Sequence, residues 1–162
     1  MVNSMSLHGK TLFITGASRG IGREAARQFL EEGVRVMICG RNAETIEKAR
    51  AELAKQTGGE VHAVVADMTK EADIARLVDT AKQKFGTVDI LVNNAGISLV
   101  NSAFQDDADY EANWARTLDV NLTSHSRLIR LCLPYLRAAE GGGRVVNIAS
   151  TESIVTTPGL AA

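Results

Sequence analysis

The chain has 162 residues, enough for one domain with a substantial core. Its 45% hydrophobic and 23% charged content is that of an ordinary globular protein. A net charge of −1 without a basic block gives no footprint for nucleic acid. No apolar run approaches the ~20 residues of a membrane helix, and Met1 to Lys10 lacks a signal-peptide core. Cys39 and Cys132 have no metal or redox spacing and sit in apolar stretches. They read as buried free thiols, which fits a reducing cytoplasm.

Short apolar runs alternate with amphipathic segments. Leu12 to Thr15 predicts the first strand, and Ile21 to Leu30 a helix ended by Gly33. Val34 to Cys39 predicts the second strand. Asn42 then caps a helix with Ile46, Ala49 and Leu53 inward, broken at Gly58-Gly59. Val61 to Ala66 is the third strand. Thr69 is expected to cap a third helix that buries Ile74, Leu77, Val78, Ala81 and Phe85 and stops at Gly86. Val88 to Val92 is the fourth strand and Ser98 to Asp109 a polar loop. A long helical region, Tyr110 to Ala139, is expected to kink or break near Asn121. Within it Leu122, Ile129, Leu133 and Leu136 are expected to face the sheet. Leu128, Leu131, Cys132 and Tyr135 add apolar surface elsewhere, so either covering helices or a second subunit fits. Three glycines lead into a fifth strand, Arg144 to Ile148, and Ser150 to Ala162 reads as loop.

Nearly continuous apolar strands alternating with helices predict an α/β doubly wound parallel sheet, a Rossmann fold. One dinucleotide-binding domain occupies residues 1–162. The ligand crevice of such a sheet lies beyond the strand C-termini, where the glycine turn, Asp67, Asn93 and Ser150 converge.

The glycine turn is Thr15-Gly16-Ala17-Ser18-Arg19-Gly20-Ile21-Gly22. A strand, a glycine-rich turn and a helix N-terminus make a phosphate site, because the backbone can approach the anion and aim free N–H groups at it. Arg41 directly follows the second strand, where an acidic residue would bind a ribose 2′-hydroxyl. Arginine there suits a 2′-phosphate, so NADP(H) is favoured over NAD(H). Asp67, followed by Met68, can accept from an adenine amino group or merely start a loop. Asn93-Asn94-Ala95-Gly96 offers small residues and amides at the fourth strand's end. Asn121 is a poor helix-interior residue, and Ser150 carries a hydroxyl beyond the fifth strand. His8, His62 and His125 are scattered without metal or triad spacing, so no metal site is expected.

Together these pieces resemble the short-chain dehydrogenase/reductase family, in its short rather than extended branch. The match comprises T-G-A-S-R-G-I-G at Thr15 to Gly22, Asp67, N-N-A-G at Asn93 to Gly96, Asn121, and V-N-I-A-S ending at Ser150. The resemblance implies that Gly16, Arg19, Ile21 and Gly22 hold the pyrophosphate and neighbouring ribose. It puts Arg41 on the 2′-phosphate, Asp67 and Met68 on adenine, Asn93 and Ala95 on the adenosine side, and Gly96 on the floor. Ser150 would bind the substrate carbonyl or hydroxyl, and Asn121 a water of the proton relay. It also implies a small carbonyl or alcohol substrate and a homo-oligomeric parent protein. Ile97, Ser98, Leu99, Thr151 and Glu152 would border the pocket.

The family's Y-x-x-x-K motif, whose tyrosine exchanges the substrate proton, is not in this sequence. Tyr110 and Tyr135 lie upstream of its place. The expectation is a C-terminally incomplete reductase that is catalytically incompetent alone, with its fifth strand left as an open sheet edge. The alternative is a non-catalytic nucleotide-binding or interaction protein that retains the front half of the fold.

Overall fold

The computed structural model describes residues 6–151, 154–155 and 158–160. Glu152, named from the sequence, lies outside the described residues. Among the described residues, five parallel strands form one sheet in the order β3-β2-β1-β4-β5. They are β1 (Thr11–Ile14), β2 (Arg35–Gly40), β3 (Val61–Val65), β4 (Ile90–Asn93) and β5 (Arg144–Asn147). The helices are α1 (Gly20–Glu31), α2 (Ala43–Thr57), α3 (Glu71–Phe85), α4 (Asp107–Leu118) and α5 (Ser124–Ala138).

Alternation along each strand sorts the core into two layers. Phe13, Met37 and Leu91 join Ile74, Leu77 and Ala81 of α3 and Leu128, Cys132 and Leu136 of α5 on one face. Leu12, Ile14, Val36 and Ile38 pack with Ala26 and Leu30 of α1 and Ile46, Ala49 and Leu53 of α2 on the other. This is the doubly wound Rossmann architecture expected from the sequence. The chain winds outward from β1 to β3 and then crosses to the other side of β1 to form β4. Two neighbouring strands therefore lead their following loops in opposite directions, which opens a crevice above β1 and β4.

Local signals act as read at several ends. The Asn42 side chain accepts the Thr45 amide at 2.9 Å, and α2 and α3 stop at Gly58 and Gly86. At α1 the true cap residue is Glu32. Gly33 follows it, with Gly33 N–H on Leu30 O and Val34 N–H on Phe29 O, the paired closure of a Schellman motif.

Three expectations need correction. Thr69 does not cap α3, whose N-cap is Lys70, because Asp67 Oδ1 accepts both the Thr69 amide and its hydroxyl. Helix α4 begins at Asp107, inside the expected loop, since the Asp106 carboxylate accepts from the Ala108 amide and Asp107 and Asp109 suit the first turn. As expected, the long helix is interrupted near Asn121, by a π-helical turn over Asp119–Thr123. There the Ser124 N–H reaches back to Asp119 O, and the Ser124 hydroxyl takes the Val120 carbonyl at 2.7 Å. The buried stripe beyond it is Leu128, Cys132 and Leu136. Leu122 and Leu133 face outward, at 63% and 39% exposure.

Candidate functional site

The crevice at the C-terminal rim has a volume of about 340 Å³. Gly16, Arg19, Ile21, Arg41, Asp67, Met68, Ala95 and Gly96, all expected at the site, line it. Ser18, Asn94, Ile97 and Val120 line it as well.

The glycine turn is set by close packing against the loop after β4. Gly16 has φ +67°, and a Cβ there would stand 2.8 Å from Ala95 Cα. A Cβ on Gly22 would lie 2.4 Å from Asn94 Nδ2, so Gly22 is buried support for the turn and not part of the crevice wall. Thr15, the residue after β1, joins the two loops. Its hydroxyl accepts from the amides of Asn94 at 3.0 Å and Ala95 at 2.9 Å. The Asn94 side-chain amide donates to Thr15 O at 2.9 Å and Gly16 O at 3.2 Å.

Helix α1 starts without a side-chain cap and without an acidic residue in its first turn. Its first N–H groups and partial positive charge therefore remain available to an anion at the crevice. Ser18, Arg19 and Arg41 stand on the same wall, and Gly40 keeps the end of β2 low, with the Ser18 Cβ 3.6 Å from where a Cβ would stand. The Thr69 amide holds the Asp67 carboxyl below its ordinary 3.8. The Thr69 hydroxyl and the charges of Arg41 and Lys70 act in the same direction, against desolvation. Burial pushes the Cys39 thiol up to about 12, so this crevice-lining sulfur is a poor nucleophile.

Asn93 does not line the crevice. It is fully buried at the end of β4, and its Nδ2 donates across the sheet to Asn147 Oδ1 at 2.8 Å. The crevice amide is its neighbour Asn94. Asn121 is exposed and does not line the crevice: its side chain donates to Ile97 O and accepts from Ile97 N–H, both at 2.9 Å. Ser150 is exposed three residues past β5, on the same rim of the sheet. Sequence reasoning assigned no function to Thr15, Ser18 or His125. The Thr15 hydroxyl directly before Gly16 was the legible signal. His125, whose Nε2 meets Ala95 O at 3.0 Å, carried none beyond standing four residues after Asn121. Among the described residues no cluster of three or more His, Cys, Asp or Glu is placed to hold a metal.

A parallel sheet of this order with a glycine turn at its switch point defines the Rossmann-type architecture. The chain matches the short chain dehydrogenase family across residues 10–162 and belongs to it. It is 39% identical over 150 residues to the short chain dehydrogenase/reductase dpchG of Colletotrichum higginsianum, covering 91% of this chain and 54% of that one. A solved Pseudomonas aeruginosa RhlG/NADP active-site complex superposes with a TM-score of 0.86 at 36% identity, covering 96% of this chain and 60% of that one. An NAD+-bound xylitol dehydrogenase superposes with a TM-score of 0.86 at 30% identity, covering 96% and 58%. The chain thus spans a little over half the length of these relatives.

Proposed function

We propose that this chain is the NADP(H)-binding part of an oxidoreductase that acts on a carbonyl or alcohol carbon. The observation that carries the cofactor choice is the wall at the end of β2, where Arg41 and Ser18 stand with no carboxylate in Gly40-Arg41-Asn42. One solved relative named above holds NADP and another NAD+, so the choice rests on this chain's own residues. The residues fit the group: two guanidiniums, an uncapped helix N-terminus and a glycine turn make an anion cradle.

In this reading Arg41 and Ser18 hold the 2′-phosphate, and Arg19, Ile21 and the Gly16 turn hold the pyrophosphate, with Gly22 supporting the turn. Asp67 and Met68 border adenine. NADP(H), when bound, supplies or takes the hydride. Ala95 and Gly96 set the floor against which it lies. The Ser150 hydroxyl donates to the substrate oxygen and polarises it. The Asn121 side chain is committed to Ile97, so any relay water at this residue meets its backbone carbonyl. The tyrosine and lysine of the family motif are not among these 162 residues. Tyr110 stacks on Trp114, and Tyr135 packs against the core, so neither replaces the tyrosine. We therefore read these residues as binding and orienting cofactor, with proton exchange supplied from outside them. The substrate class is a small carbonyl or alcohol compound, and the parent assembly a homo-oligomer.

The location fits the cytoplasm. Cys39 and Cys132 are buried free thiols, and no described helix is long and apolar enough to cross a membrane. The alternative, a non-catalytic nucleotide-binding protein, draws support from the same missing tyrosine and lysine.

Titration of the protein with NADPH and NADH tests the reading. NADPH binds more tightly, and Arg41→Ala weakens NADPH by about 10- to 100-fold while leaving NADH nearly unchanged. Equal affinity for both cofactors would overturn the NADP(H) assignment, and binding of neither would overturn the whole. Turnover by a preparation whose mass matches 17.3 kDa would overturn the division of labour.

A further inference from the structure

The crevice floor, Asn94 to Ile97, is made of small residues at its centre, so its backbone is the surface it presents. Its polar backbone groups are fastened from two sides. Thr15 takes the Asn94 and Ala95 amides, and Asn121 brackets both groups of Ile97. Between these ties lies the Ala95 carbonyl, which points to the helix side and meets His125 Nε2 at 3.0 Å. A carbonyl oxygen only accepts, so Nε2 carries the hydrogen and the imidazole donates. His125 follows Asn121 by four residues, which puts both side chains on one side of the helix.

We propose that His125 is a positioning residue for the cofactor floor, its Nε2–H fixing the direction of the Ala95 carbonyl. The need for such a tie comes from Gly96. It has no Cβ, and a Cβ there would find nothing nearer than 3.6 Å, so sterics alone do not hold the Ala95–Gly96 peptide plane. The Ala95 amide is anchored by Thr15, and the carbonyl on the far side of the residue is anchored by His125. Together they fix the path of the chain across the crevice. His125 touches no reacting atom and acts through this peptide. The consequence for NADP(H) rests on the cofactor reading above; the loop geometry does not.

The side chains that discriminate are Gln, whose amide nitrogen reaches the place of Nε2, and Asn and Phe. Asn carries an amide only where Nδ1 stands, and Phe keeps ring volume without a donor. Nitrogen-15 NMR of the unliganded protein should show His125 as the Nε2–H tautomer. His125→Gln should leave the Gly96 amide resonance in place and NADPH affinity within about twofold of the parent. His125→Asn and His125→Phe should shift that resonance and weaken NADPH by about three- to tenfold. An Nδ1–H tautomer in the parent, or unchanged Gly96 resonance and NADPH affinity in both the Asn and Phe variants, would overturn the proposal. If the parent protein binds neither cofactor, the cofactor reading fails, while the Gly96 resonance still decides the role of His125. If the Phe variant does not fold, the tautomer and the Gln–Asn pair decide it.

Discussion

Strands β1 and β5 flank β4 in the same parallel sheet, and each pairs with it in regular register. Every residue of β1 is buried and every residue of β5 is exposed. β1 is covered on both faces and closed at both ends by side chains. Thr11 donates its amide and hydroxyl to Asp89 Oδ2, each at 2.8 Å, and Thr15 receives the Asn94 and Ala95 amides at the other end. At the β4–β5 seam the Asn93 side-chain Nδ2 donates to Asn147 Oδ1, and Asn93 Oδ1 is buried without a hydrogen-bond partner among the described residues. The ladder alone sets register. Cover on two faces and side-chain closure at both ends distinguish β1, whose C-terminal end carries the glycine turn of the crevice.

Substitutions can break this contrast. Gly16→Val should have the largest effect, because it forces a branched side chain onto a positive φ and into the Ala95 backbone. NADPH affinity should fall by about 100-fold or more, read by titration. Phe13→Ala removes the largest fully buried side chain and should cost about 3–5 kcal/mol in chemical denaturation. Thr15→Val leaves the Asn94 and Ala95 amides without their acceptor. It should cost about 2 kcal/mol, with faster hydrogen exchange confined to those amides.

Asp67→Asn sharpens the comparison through pH. The Asp67 carboxylate lies below its ordinary 3.8 in the folded protein, so its contribution is present above 3.8 and is lost as pH falls through the lower folded value. The stability gap between parent and variant should therefore close on acidification, as measured by denaturation at a series of pH values. Val145→Thr, on exposed β5, should change stability least, within about 0.5 kcal/mol. A β5 effect as large as that of Phe13→Ala would erase the contrast.

What the sequence disclosed was whatever short-range chemistry decides. The apolar strands, the Asn42 cap, the stops at Gly58 and Gly86, and the inward faces of α2 and α3 all follow from neighbours within one or two turns. The crevice followed too, because topology carries Gly16, Arg41 and Asp67 to one rim. Hidden were the choices made between competing partners, whether near in sequence or far. Thr69 satisfies the cap rule locally but is captured by Asp67. Asn93 and Asn94 are alike in type, and only the end of β4 determines which faces Asn147 and which faces the crevice. His125 gains its meaning from Ala95, thirty residues earlier.

The π-helical turn at Asp119–Thr123 works as a phase adjuster between α4 and α5. An α-helix advances about 100° per residue. Deleting one residue from this turn would rotate Leu128, Cys132 and Leu136 off the sheet by that angle. It would also upset the spacing that brings Asn121 and His125 to the crevice floor. A chimera that takes α5 from a relative must therefore keep the residue count from Asp119 to Ser124, whatever the identities of those residues. Residue number in this short segment is a design constraint independent of composition.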